Sequence, residues 1–420
     1  MPPRPHRATR SGYAQLLRGG LPTIFSSGVV AAVPIAGAIA LDSADYAVWA
    51  LGATLSTVFV ILDFGVPSLA IKLSSEKRLD RGTLWRLMGL TATPPLVLCG
   101  LVSVAWPFYS AASGVGRASS GLVYLTFGEI AVGTAMRSVG VLYASVALGR
   151  NRMLRRAMIL IIGAVAQLVG TLVALALGAG FQSLGIGILC GGLVQVTVGI
   201  ALERCADAGA TRETEVQQLV RMFMKSKGIA TLLGVTITQF DRWAVGLATS
   251  PTTLAVYDIA TRFALIPKIA LVALGAGLVA QSAQAGSLSA TRALVLRSQK
   301  MAAVFYLGAG SVLGGVAVVL LVGRGHPLTA VLLITIAVTL GHGVNSLTIP
   351  AGYVLSGVGR PDFELRYLWP LAGICLSAYG LGIWTHDGTV LIALWSVAMI
   401  GLSWFFVRRS PRYVEESRTW

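Results

Sequence analysis

The sequence predicts an all-α polytopic membrane protein of about twelve transmembrane helices, split into two six-helix bundles. Three observations predict it. The 420 residues are 55% hydrophobic and only 12% charged, with a mean hydropathy of +0.76, too little polar surface to coat a soluble domain. Mainly apolar runs of about 20 residues, long enough to cross a bilayer, recur along the whole chain. The loops between them alternate between strongly basic and nearly uncharged.

The runs follow in order. A basic arm, 1–18, leads into the first, 19–41, which stops at Leu41-Asp-Ser-Ala-Asp45. Its Ala38-Ile-Ala40 has the shape of a leader-cleavage site. The apolar stretch is too long for a leader and eleven more runs follow, so it reads as an uncleaved first helix. The second run, 46–71, meets a basic loop at 72–86, and the third, 87–110, carries Pro94 and Pro95. A short loop, 111–120, precedes the fourth, 121–148, which exceeds one bilayer width and is expected to tilt or protrude. A basic turn at 149–156 leads to the fifth, 157–178, and the Gly178-Ala-Gly180 turn to the sixth, 185–203. A polar, basic loop at 204–227 divides the chain into bundles 19–203 and 228–407. The seventh run, 228–248, ends at Thr249-Ser-Pro-Thr252, and the eighth, 254–282, contains Pro267. The ninth, 301–322, stops at Gly323-Arg-Gly-His-Pro327, and the long tenth, 328–356, ends near a loop at 357–366. The eleventh, 367–385, and twelfth, 389–407, complete the second bundle before a basic tail, 408–420. Gly187–Gly191 and Gly310–Gly314 have the spacing of close helix packing. Trp106, Tyr109, Trp384 and Trp404 stand near run ends, where aromatic side chains form interfacial belts.

Of the 33 Lys and Arg residues, 27 lie in the arm, tail and loops of one side. The other side has Arg117 and Arg324. The positive-inside rule therefore places both termini in the cytoplasm. It also turns the net charge of +16 toward anionic lipid headgroups and away from nucleic acid, for which no recognition motif is present. No GxxxxGK[ST] loop exists for ATP-driven transport. The four cysteines lack ligand spacing, so no metal or other cofactor is expected. Two halves with an even number of spans insert in the same orientation, the parallel-repeat arrangement. Asp45-Tyr-Ala-Val-Trp49 and Ala255-Val-Tyr-Asp258, at the starts of the second and eighth runs, are its slight direct trace.

Function is carried by the ionisable residues inside the runs. Arg137, Arg242, Arg262 and Lys268 are the basic ones, Asp63, Glu129, Asp241 and Asp258 the acidic ones. A charge at membrane depth costs at least ~2.5–3.5 kcal/mol and faces a protein interior or a wet cavity. Asp258 and Arg262, four apart, share a helix face, either as a structural lock or as a pair that trades its partner for substrate. Asp241 and Arg242 point about 100° apart, so at least one needs a partner elsewhere; Asp241 and Asp258 are placed to meet in the outer half of one cavity. Arg137, near the middle of its run, is the strongest single candidate. Lys268 follows Pro267 and either serves a cavity or satisfies the carbonyl that proline frees. Asp63 lies near the cytoplasmic end of its run. His342 is expected to be a hydrogen-bonded core residue.

Leu62-Asp-Phe-Gly65, Phe240-Asp-Arg-Trp-Ala-Val-Gly246, Ala255-Val-Tyr-Asp-Ile-Ala-Thr-Arg-Phe263 and Pro350-Ala-Gly-Tyr-Val-Leu-Ser-Gly-Val-Gly-Arg360, with Asp45-Tyr-Ala-Val-Trp49, resemble the bacterial polysaccharide flippases. These are the O-antigen, capsule and exopolysaccharide repeat-unit translocases of the multidrug/oligosaccharidyl-lipid/polysaccharide exporter superfamily. The resemblance runs over nearly the whole chain and implies two six-helix bundles around a central cavity in the bacterial cytoplasmic (inner) membrane. It implies a non-enzymatic flippase that moves an undecaprenyl-pyrophosphate-linked oligosaccharide to the outer leaflet by alternating access. Polysaccharide polymerase and glycosyltransferases of the pathway are its implied partners, beside membrane lipids. Arginine suits a pyrophosphate, which assigns Arg137, Arg262, Arg242 and Lys268 to substrate. Asp241, Asp258, Glu129 and Asp63 are left for H+ or Na+ coupling or for pairing in the cavity. The rivals are a cation-coupled multidrug exporter, which favours an acidic cavity, and a membrane polysaccharide polymerase or ligase, which needs a larger outer loop than 111–120.

Overall fold

The computed structural model describes residues 25–26, 28–29, 32–61, 66–75, 79–113, 120–203, 229, 232–283, 287–358 and 362–416. The arm, the central loop and Asp63 lie outside these residues. Of the described residues 93% are helical and none forms a strand. The first half contains α1 (32–40), α2 (Ser43–Ile61), α3 (Val66–Ser75), α4 (Arg81–Ser113), α5 (Ser120–Gly149), α6 (Met153–Ala176) and α7 (Ser183–Leu202). The second contains α8 (232–238), α9 (Phe240–Ala248), α10 (Pro251–Ala283), α11 (Leu288–Gly323), α12 (Leu328–Ser346), α13 (Thr348–Gly357), α14 (Asp362–Thr385) and α15 (Gly388–Glu416).

Among the described residues each expected span is helical nearly throughout. Eight stretches among the described residues are long and apolar enough to cross a membrane by themselves, making this a multi-pass membrane protein. Helix α10 is 33 residues long but carries Asp258, Arg262 and Lys268, a polar load that only a protein-lined interior supports. Helices α4 and α11 begin well before the apolar runs they contain, and α15 continues to Glu416, so the expected tail is helical over most of its length. These extensions carry basic residues that bond one another's helices, as in Arg292 Nη1–Glu415 Oε1 at 2.8 Å and Arg366 Nη1–Glu416 Oε2 at 3.4 Å.

Turns assigned to one face cluster there. On the basic face Glu203, fully buried, accepts from Arg150, Arg152 and Arg155 at 3.2, 2.9 and 3.4 Å. On the far face the Arg324 guanidinium donates to the Leu41 carbonyl, and Gly178 and Gly180 take φ of 79° and 56°, the left-handed region glycine favours. Within the first half α5, α6 and α7 form the tightest unit. A Cβ added at Gly133 would stand 2.6 Å from Leu189 Cα, and one at Gly191 2.6 Å from Gln167 Cβ. The two halves touch through α2 and α4 on one side and α9 and α10 on the other. These contacts gather toward the far face. Trp106 packs inside the first half and Tyr109 joins that seam, so neither forms an interfacial belt. Trp106 is 2% exposed and stands edge-on to Phe127, while the Tyr109 hydroxyl donates to the Trp243 carbonyl at 3.1 Å. Trp384, 79% exposed, and Trp404, 45% exposed, face outward from the helices.

Candidate functional site

A cavity of about 630 Å³ lies between the halves, and three of the four intramembrane cations, Arg137, Arg242 and Arg262, line it. Helix α2 contributes Trp49, Thr54, Ser56 and Thr57, α6 Gln167, and the break between α8 and α9 Gln239. Its size is that of a small-molecule site.

The three arginines differ in what holds them. Arg242, 2% exposed, is embedded: Nε donates to Asp258 Oδ1 at 2.7 Å, and Nη1 to the Thr238 carbonyl at 2.9 Å and Asp241 Oδ1 at 3.3 Å. Neighbours on one helix thus reach each other after all, while Asp241 also takes the Tyr257 hydroxyl on Oδ2 at 2.8 Å. Arg262 Nε donates to Asp258 Oδ2 at 2.6 Å, and its guanidinium stands 5.9 Å from the Trp49 ring centre, a cation–π distance. The Tyr46 hydroxyl donates to that same Oδ2 at 2.8 Å. Arg137 has a single side-chain bond, Nη1 to Gln167 Oε1 at 3.2 Å, and no carboxylate partner among the described residues. Asp241 and Asp258 meet on Arg242, each 0% exposed, behind the wall and not on it.

Lys268 does not join the wall, and it does not mend the proline kink. Six residues beyond Arg262, it is turned about 240° around the helix, toward α12, where Nζ donates to Asn345 Oδ1 at 2.7 Å and Asn345 in turn donates to Ser403 at 3.0 Å. Glu129 lies about 12 Å along α5 from Arg137 and also stands off the wall. Its Oε1 accepts from Gln182 at 3.1 Å, while Oε2 is buried with no partner among the described residues. His342 is fully buried, but neither ring nitrogen has a hydrogen-bond partner among the described residues; it rests edge-on against Trp395. Cys99, Cys190 and Cys375 are unpaired, and no cluster of metal-ligating side chains occurs among the described residues.

Sequence reading missed Gln167, Tyr46, Tyr257 and Asn345. Two of these carried a signal. Tyr46 and Tyr257 are the tyrosines of the two weakly similar segments that open α2 and α10, and both donate to an aspartate of the cavity network.

No family model matches the chain, and no curated protein matches it. Solved structures do. A multidrug resistance MATE family transporter of the MOP superfamily, in an inward-facing conformation, superposes with a TM-score of 0.70 over 94% of this chain and 96% of its own, at 12% identity. The Vibrio cholerae MATE transporter VcmN in its bent form gives 0.65 over 98% and 100%, at 12% identity. A Pyrococcus furiosus MOP superfamily transporter, described as having a binding pocket of reverse polarity that suggests a different function, gives 0.63 over 95% and 96%, at 11% identity. The architecture is therefore a MATE-like fold, two helical bundles with a cavity between them.

Proposed function

We propose that this protein is a flippase for a polyprenyl-pyrophosphate-linked oligosaccharide, carrying it from the basic, cytoplasmic face to the far leaflet of the bacterial inner membrane by alternating access. The observation that carries the reading is Arg137: a guanidinium on the cavity wall whose only side-chain partner among the described residues is a neutral amide. An unneutralised cation at membrane depth calls for an anion, and a pyrophosphate offers paired oxygens to its planar donors. Arg262, facing it from the other half, supplies a second donor. The sugars occupy the hydroxyl-lined part of the cavity and the prenyl chain stays in lipid.

Coupling to a cation gradient needs an acid able to give up its charge. Asp241 and Asp258 have donors on both oxygens, so Glu129, with one oxygen buried and unserved, is the coupling residue. Cation-coupled multidrug export is the second reading, favoured by the likeness to a structure described as a multidrug resistance transporter.

The test is translocation of a fluorescent polyprenyl-pyrophosphate oligosaccharide in proteoliposomes holding the full chain. Arg137→Gln is expected to lower the rate at least ten-fold while eluting as a folded monodisperse species. An unchanged rate in folded Arg137→Gln, or transport of a cationic dye with none of the lipid-linked sugar, overturns the reading.

A further inference from the structure

Tyr46 lies outside the cavity wall, yet its hydroxyl ends on the oxygen that holds a cavity arginine. Asp258 Oδ2 receives two donors: Arg262 Nε at 2.6 Å, from the same helix, and Tyr46 at 2.8 Å, from the other half of the molecule. Arg242 occupies Oδ1. Everything in this set is buried except Arg262, whose side chain is 17% exposed and reaches the cavity.

We infer that Tyr46 is a positioning residue that sets the anion affinity of the cavity according to which face is open. The inference rests on the reading of the cavity as a site for a phosphate-type anion. Asp258 and a cavity anion compete for one guanidinium. With the far-face seam closed, Tyr46 serves Oδ2, so Arg262 can turn to the anion without leaving that oxygen bare. An unserved buried acceptor is costly, and Tyr46 removes that cost. When the seam opens, α2 moves from α10 and takes the Tyr46 hydroxyl with it. Oδ2 then holds Arg262 alone, and the anion loses its donor on the face where it must leave. Affinity is high when the basic face is open and low when the far face is open, the order an exporter requires. By linkage, the anion in turn favours the closed seam.

The experiment is calorimetric titration of the detergent-purified full chain with inorganic pyrophosphate. Tyr46→Phe deletes one hydroxyl without touching the wall. It is expected to weaken binding about ten-fold, the scale of one hydrogen bond to a charged group. Asp258→Asn, which frees Arg262, is expected to change affinity in the opposite direction and tighten binding. A purely structural role for the network gives no change in Tyr46→Phe and weaker binding in Asp258→Asn. Wild-type affinity in folded Tyr46→Phe overturns the inference even where Asp258→Asn does not fold. Pyrophosphate binding that Arg137→Gln abolishes but Tyr46→Phe leaves intact overturns this inference alone. No binding by the wild type overturns both this and the anion reading.

Discussion

Gly133 is the position where the first bundle has no spare room. A Cβ added there would lie 2.6 Å from both Leu189 Cα and N and 2.7 Å from Ile188 C, where non-bonded carbons prefer about 3.5–4.0 Å. The obstacle is α7 backbone, which cannot rotate aside. Gly133→Ala therefore has to part α5 from α7 by about 1 Å. Overpacking of this kind costs ~1–3 kcal/mol, and a backbone-on-backbone clash belongs at the upper end. Alanine returns up to ~1 kcal/mol of helix propensity, leaving a net loss of about 2 kcal/mol. Gly315→Ala is the matched control. It lies in α11 with nothing within 4 Å of the added Cβ, so only the propensity gain of up to ~1 kcal/mol applies. Thermal unfolding in detergent, followed by tryptophan fluorescence, should place Gly133→Ala below wild type and Gly315→Ala at or above it. Gly133→Ala melting as high as Gly315→Ala would show that α5 and α7 have room for the added methyl. The site is bound to the same seam: a Cβ at Gly192 would meet the Gly133 carbonyl and stand 3.2 Å from Arg137 N, so parting these helices also displaces the cavity arginine.

Two other substitutions separate the remaining charges. Glu129→Gln keeps an amide oxygen for Gln182 and removes a charge that no described cation offsets. Its melting temperature should equal or exceed wild type, while any stimulation of transport by an imposed pH gradient disappears; persistent stimulation would move coupling elsewhere. Lys268→Met loses the bond to Asn345 and should cost about 1–2 kcal/mol of stability, yet pyrophosphate affinity should stay at the wild-type value because Lys268 stands off the wall. A weakened affinity in a folded protein would return Lys268 to the site.

The helices were legible in the sequence because apolar length and loop charge are local quantities. Each run, from 19–41 to 389–407, needed only its own residues to be recognised. The tertiary role of a charge is not local. Lys268 and Arg262 have the same sign and the same helix, and only the turn of α10 against α12 sends one to Asn345 and leaves the other on the cavity. The i,i+4 spacing of Asp258 and Arg262 was readable, whereas the donor from Tyr46 depends on two segments 212 residues apart. Gln167 gave no signal at all: a glutamine among apolar residues does not announce an arginine on another helix. Trp106 misled for the opposite reason, since a bundle interior and a membrane interface both take large aromatic rings.

The charge balance of the cavity bears on which ligand it takes. Arg242, Arg262, Asp241 and Asp258 cancel, and both carboxylates are fully buried with donors on each oxygen. Arg137 then leaves the site with an excess of one positive charge. A cationic drug would need an acceptor on the wall stronger than an amide, and no carboxylate lines this cavity among the described residues. The best amide oxygen, that of Gln167, is already engaged by Arg137. The hydroxyls point the same way. Thr54 and Thr57 donate their protons to the Ala50 and Ala53 carbonyls at 2.9 and 3.0 Å, so what they offer the cavity is lone pairs. Lone pairs suit the hydroxyls of a sugar, and the unspent guanidinium donors suit the phosphate that carries it. Under the proposed function these wall groups divide the ligand between them, the hydroxyls taking a polyhydroxyl head and the guanidinium the anion joined to it.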